Sequence, residues 1–178
     1  MAPNSTIFKV NLSVSDMTRS YYEDHSLTIA RHPSETDIRM IVRIIAFALN
    51  AHEQLKYGKG LSSPDEPDLW ETDLTGQVRH WIDLGQPTEK RIRQACGKAS
   101  KVSIYTYQKG AALPWFEGIK SSIERFSHLK VTHLILTDES LVPKMLERTM
   151  QLSCSIEDDQ LMLSDQNHSL IVHLNAVK

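Results

Sequence analysis

The chain has 178 residues, 40% of them hydrophobic and 24% charged, which is enough apolar material for one folded domain with its own core. A formal net charge of −2 argues against a protein held on nucleic acid by broad phosphate neutralisation, so any such contact must be local. Its two cysteines, Cys96 and Cys154, lie far from each other and from any histidine at ligand spacing, which predicts buried free thiols and a reducing compartment.

The first residues carry no basic region followed by an apolar stretch, and no apolar run approaches bilayer length. A soluble, cytoplasmic protein without a membrane partner is expected. Residues 6–14 alternate, with Phe8, Val10, Leu12 and Val14 on one side, and this predicts a half-buried strand. For residues 16–30 two readings compete. Met17, Tyr21 and Tyr22 suit the start of a helix, whereas residues 27–31 alternate like a strand; a hairpin turning at residues 15–18 is preferred.

Ser34 as N-cap with Asp37 three residues on forms a capping box, and predicts a helix to about residue 50. Ile38, Ile41, Val42, Ile45, Ala48 and Leu49 make one apolar face, which Met40, Ile44 and Phe47 widen, so this is the central core helix. Its first turn exposes Glu35. Residues 56–66 contain Gly58, Gly60, Ser62, Ser63 and Pro64 and read as a surface loop.

The loop leads to the stretch with the most chemistry. Asp73, Leu74, Thr75 and Gly76 separate two apolar and aromatic runs, the signature of an antiparallel pair on a short turn. Asp68 then lies near the start of the first strand and Asp83 near the end of the second, so the two carboxylates share one end of the hairpin. Such a pair can repel, share a proton or hold a hard divalent cation. Pro87 and Thr88 open the next helix, with a buried stripe of Ile92, Ala95, Cys96 and Ala99. Arg91 and Lys98 fall on one shoulder of that stripe and Lys90 points to solvent, which makes Arg91 the cation placed to look back at Asp83.

Strands at residues 102–107 and 131–136 alternate with helices at 113–126 and 138–147, and this predicts a mixed sheet with helices on its faces. Residues 150–156, 161–164 and 170–177 are three further strands, expected to join the N-terminal strands in a small antiparallel β-lobe. The predicted class is α/β (α+β), a single domain over residues 1–178. Its core would span about residues 32–148, with the lobe built from about 5–31 and 149–177.

The order of core helix with Glu35, hairpin with Asp68 and Asp83, basic helix and strand resembles the core of the PD-(D/E)XK nuclease superfamily. More closely, the chain resembles the bacterial YaeQ family, on four stretches. These are Arg31-His32-Pro33-Ser34-Glu35-Thr36, Gly60-Leu61-Ser62-Ser63, Asp65-Glu66-Pro67-Asp68-Leu69-Trp70 and Trp81-Ile82-Asp83-Leu84-Gly85. The resemblance implies a nuclease-like core with an added β-lobe, and speaks to fold and site position more than to activity. It makes Asp68 the first acid of the motif, Asp83 the second and Glu35 the accessory acid, together ligands of Mg²⁺ or Mn²⁺. The motif's lysine position, two residues after the second acid, is Gly85 here. Arg91 or Lys98 would have to supply that charge, or Gln86 orient a water without it.

No Walker loop, dinucleotide fingerprint or nucleophile elbow is present, and the eight histidines form no ligand set. His32 reads as helix-start packing, and Trp70 and Trp81 as sheet packing before base stacking. The expected function is a divergent, Mg²⁺-binding, nuclease-like protein acting on nucleic-acid phosphodiesters, with Asp68, Asp83, Arg91 and Gln86 at the reaction centre. The competing expectation is a non-catalytic nucleic-acid- or protein-binding regulatory module that keeps the fold, and Gly85 favours it.

Overall fold

The structure is a computed structural model, and it describes residues 4–59 and 63–178. The chain is mixed α+β. Its contacts group it into two units, Met1–Ala51 with Leu136–Leu174 and His52–Ile135 with Asn175–Lys178.

In the first unit, β1 (Thr6–Asp16) and β2 (Tyr21–Arg31) form the expected hairpin, with Thr6 opposite Arg31 and Asp16 opposite Tyr21. The alternation of the sequence becomes an alternation of burial: Phe8, Val10, Leu12 and Val14 are inside. The turn is held by Asp16, whose carboxylate accepts from the Arg19 side chain at 2.6 Å. That arginine also donates to the carbonyls of Ala48 and Ala51, at the C-terminal end of α1 (Asp37–Leu49). Nine consecutive residues of α1, Met40 to Ala48, are buried, as expected of a central helix.

The tail adds β8 (Thr149–Glu157), β9 (Gln160–Ser164) and β10 (Ser169–Ala176), paired antiparallel in order. The expectation of an antiparallel lobe needs correction at its centre. There β1 and β8 run parallel, Lys9 opposite Thr149 through Asp16 opposite Ile156. Parallel neighbours require a long crossover, and the long intervening chain supplies it. The predicted helix at 138–147 is also shorter. A 3-10 turn, Glu139–Leu141, leads into one turn of helix, α4 (Val142–Met145).

The second unit holds β3 (Leu55–Tyr57), β4 (Leu69–Thr72) and β5 (Val78–Leu84), each antiparallel to the next. Two crossovers follow, α2 (Glu89–Lys98) to β6 (Ala99–Thr106) and α3 (Ala112–Ile123) to β7 (Leu129–Leu136), making β5, β6 and β7 parallel. This is the predicted mixed sheet with helices on a face. Ile92, Ala95 and Cys96 of α2 bury against Trp81, Val102 and Ile104 of the sheet, as the helical stripe required. Both cysteines are free and buried, and burial pushes the Cys96 thiol up to about 11 and the Cys154 thiol up to about 12.

Candidate functional site

The β4–β5 turn is built by Asp73, whose carboxylate accepts from the Thr75 and Gln77 amides at 2.9 and 3.0 Å. Gly76 completes it at φ 84°. With that turn fixed, Trp70 faces Trp81 and Leu69 faces Ile82, so Asp68 and Asp83 come to the same end of the hairpin as predicted. Both are removed from solvent, Asp68 at 5% and Asp83 at 3% exposure.

Each carboxylate has a specific partner. Asp68 accepts from the Leu84 amide at 2.9 Å, which ties the entry of β4 to the end of β5. Asp83 is gripped by Arg91 of α2, Nε to Oδ2 at 2.7 Å and Nη2 to Oδ1 at 3.0 Å. The helix is aimed by its own cap, Thr88, whose hydroxyl accepts from the Arg91 amide. The same guanidinium donates to the carbonyls of Pro64 and Glu66, the latter at 2.9 Å. Arg91 therefore binds three segments at once: β5, α2 and the loop ahead of β4. The helical wheel finds its direction toward Asp83, but the two loop carbonyls leave no mark in the sequence, because backbone acceptors are not encoded by residue type.

Gly85 follows Asp83 by two residues and has φ 89°, in the left-handed region. A Cβ there would meet the Gln108 amide nitrogen at 3.2 Å. A side chain is disfavoured twice over, by backbone conformation and by space. Gln86, next in line, is half-buried.

The expected accessory acid sits differently from its prediction. Ser34 does not cap α1, because its hydroxyl and amide are engaged by His32 Nδ1 at 2.6 and 3.0 Å in a local turn. The cap is Thr36, which accepts from the Arg39 amide at 3.2 Å. Glu35 thus precedes the helix and, far from exposed, is 4% accessible. Its carboxylate meets Arg39 at 3.1 Å and Arg43 at 3.1 Å, and Arg31 holds its backbone carbonyl. Glu35 lies in the first unit, and Asp68, Asp83, Gln86 and Arg91 lie in the second. Of the stretches quoted for the family resemblance, Gly60, Leu61 and Ser62 fall outside the described residues.

A model of the family described as YaeQ protein matches residues 1–174 of the chain. The uncharacterised protein YaeQ of Escherichia coli (strain K12) is 40% identical over 178 residues, covering 99% of this chain and 97% of that protein. The chain belongs to the YaeQ family. Its fold is similar to two crystal structures of YaeQ proteins. That from Xanthomonas axonopodis pv. citri matches at TM-score 0.92 and 37% identity, over 98% of this chain and 99% of that one. That from Pseudomonas syringae matches at TM-score 0.89 and 30% identity, over 98% and 96%.

For this YaeQ-family chain the fit of a divalent cation can be tested on the geometry. Mg²⁺ asks a protein for one or two carboxylates and takes waters and phosphates for the rest, so Asp68 and Asp83 suffice in number. In arrangement they do not, because Arg91 is bonded to both oxygens of Asp83 and supplies the positive charge a metal would bring. Among the described residues, no three or more His, Cys, Asp or Glu side chains gather as a metal site would. Metal binding at the pair requires Arg91 to leave it.

The remaining feature of this face is aromatic. Trp70 stands edge-on to Trp81, ring centres 6.4 Å apart. Arg91 and Lys98 lie 5.7 and 5.9 Å from the Trp81 ring centre. On the opposite face of the sheet His80 is buried and shares a 2.8 Å hydrogen bond with Ser103. Burial, with the Lys101 charge nearby, lowers its pKa to about 3, so His80 is neutral at pH 7.

Proposed function

We propose that this protein is a nucleic-acid-binding module on a divergent PD-(D/E)XK-like core, in which binding is kept and cleavage chemistry is lost. The observation that carries this reading is the Arg91 clamp, whose donors are committed to Asp83 and to the carbonyls of Pro64 and Glu66. A guanidinium so held is a structural element. Gly85 supports the same reading: its φ of 89° disfavours a lysine where the nuclease motif needs one, so the missing cation is no single substitution away.

One observation favours a second reading, Mg²⁺-dependent phosphodiester hydrolysis. Asp68 and Asp83 are both buried at one hairpin end, and two adjacent buried carboxylates are costly unless something offsets them. In that reading both are metal ligands, Arg91 is released toward the phosphate and the metal supplies Lewis-acid chemistry.

One assay decides between them. Purified protein is mixed with labelled single-stranded, duplex and branched DNA and with RNA, in EDTA, Mg²⁺ or Mn²⁺, and both binding and strand length are followed. The expected result is binding that persists in EDTA with no shortening of any strand. Metal-dependent cleavage that disappears in Asp68→Asn and Asp83→Asn would overturn the proposal in favour of hydrolysis. Absence of binding to every substrate would remove nucleic acid as the ligand.

A further inference from the structure

Register places Lys56 of β3, Trp70 of β4 and Trp81 of β5 in one row across one face of the sheet, Lys56 opposite Trp70 and Trp70 opposite Trp81. Helix α2 flanks that row. Arg91, Gln94 and Lys98, spaced i, i+3 and i+7, share the shoulder of the helix that meets Trp81. Trp81 forms the buried floor, Trp70 is half-exposed, and Lys56 and Lys98 are both exposed. By strand alternation Glu71 belongs to the opposite face, where it lies 3.7 Å from His52. The acids that do share this face, Asp68 and Asp83, are buried at its end. The exposed charge bordering Trp70 is therefore basic. The buried Trp81 Nε1 finds no acceptor among the described residues, which leaves one hydrogen-bond donor unused in the floor.

We propose that this row binds single-stranded nucleic acid, with a base stacked on Trp70 and the flanking phosphates held by Lys56 and Lys98. An indole between two lysines has the composition of a stacking platform in an electrostatic groove. It also suits a protein whose overall charge is −2, since a small basic border can act where the whole molecule cannot. The occupant is a single strand because its bases are free to stack, whereas those of a duplex are already stacked on one another. The inference rests on nucleic acid being the ligand, and adds where it binds and in which form.

The test uses the full chain and labelled oligothymidine, with fluorescence anisotropy for affinity and tryptophan emission for stacking. The same oligonucleotide annealed to its complement and a labelled polyglutamate are run beside it. The single strand should bind best and quench emission, and polyglutamate should not compete. Lys56→Glu and Lys98→Glu, both at exposed positions, should each weaken binding about tenfold. Trp70→Leu should lose about tenfold in affinity and most of the quenching, and Trp70→Phe should recover part of the affinity. The Phe variant also controls for loss of sheet packing. Binding that survives both lysine reversals and Trp70→Leu would overturn the row while leaving nucleic acid as the ligand. Equal binding of polyglutamate would show a general polyanion surface and overturn the stacking claim. If no nucleic acid of either form binds, the parent reading falls with it.

Discussion

At the scale of single residues, two glycines and one histidine carry obligations that their side chains do not advertise. Gly85 must hold φ 89° beneath Gln108, so Gly85→Lys, the change that would rebuild the nuclease motif, is expected to cost about 1–3 kcal/mol of stability. It should confer no cleavage, and urea unfolding beside a strand-length assay checks both. Gly58 is constrained by space instead: a Cβ there would lie 2.0 Å from the Pro67 carbonyl oxygen, next to the bond from its own amide to Asp68. His80 gives a pH signature with a definite sign. Its folded pKa of about 3 lies below its unfolded value of about 6.5, so between them the unfolded chain binds the extra proton. The stability held by neutral His80 is intact above that upper value and is lost, at up to about 1.4 kcal/mol per pH unit, as pH falls through the window. Relative to His80→Gln, wild type should therefore lose stability between pH 7 and pH 4.5, measured by urea unfolding at the two pH values. Parallel curves for the two proteins would mean that His80 is hydrated or charged in the fold.

At the scale of elements, what the sequence discloses depends on how local the cause is. The β4–β5 hairpin was legible because Asp73, Thr75 and Gly76 make the turn by themselves and the flanking residues alternate with period two. With the turn known, the meeting of Asp68 and Asp83 follows from register alone. The α2 stripe and the reach of Arg91 toward Asp83 were legible for the same reason, being periodic. The start of α1 was misread by two residues, because Ser34 satisfies itself on His32 and so leaves Thr36 to cap. Glu35 was placed at the surface when its burial is set by Arg39 and Arg43, four and eight residues on, a spacing that offered a clue once α1 was known to be covered all round. The parallel pairing of β1 with β8 had no sequence signal at all, since alternation fixes which face is buried and says nothing about a neighbour's direction. The Arg91 clamp makes its own prediction here. Asp83→Asn removes one charge of a largely buried pair and should destabilise by about 2–3 kcal/mol, less than for a fully buried pair because Arg91 is 26% exposed. Thermal unfolding in EDTA and in excess Mg²⁺ should show that drop in both conditions, with no metal stabilisation of wild type. A rise in wild-type melting temperature with Mg²⁺, absent in Asp83→Asn, would instead assign the pair to a metal.

At the scale of the whole molecule, charge constrains how nucleic acid can be held. With 20 basic and 22 acidic residues the chain as a whole repels a polyanion weakly, so affinity must come from a few contacts and from stacking. Counterion release turns this into a slope. A single strand contributes about −0.7 per phosphate contact to the logarithm of the binding constant against the logarithm of salt concentration. Two or three contacts, Lys56 and Lys98 with at most one further cation, give a slope of about −1.5 to −2. Lys56→Glu and Lys98→Glu should each flatten it by about 0.7 or more, while Trp70→Leu should lower affinity and leave the slope alone, because stacking releases no ions. Anisotropy titrations of oligothymidine across a salt series measure all three. A wild-type slope steeper than about −4 would require more cations than this face holds, and the binding surface would then have to be sought among basic residues elsewhere on the molecule.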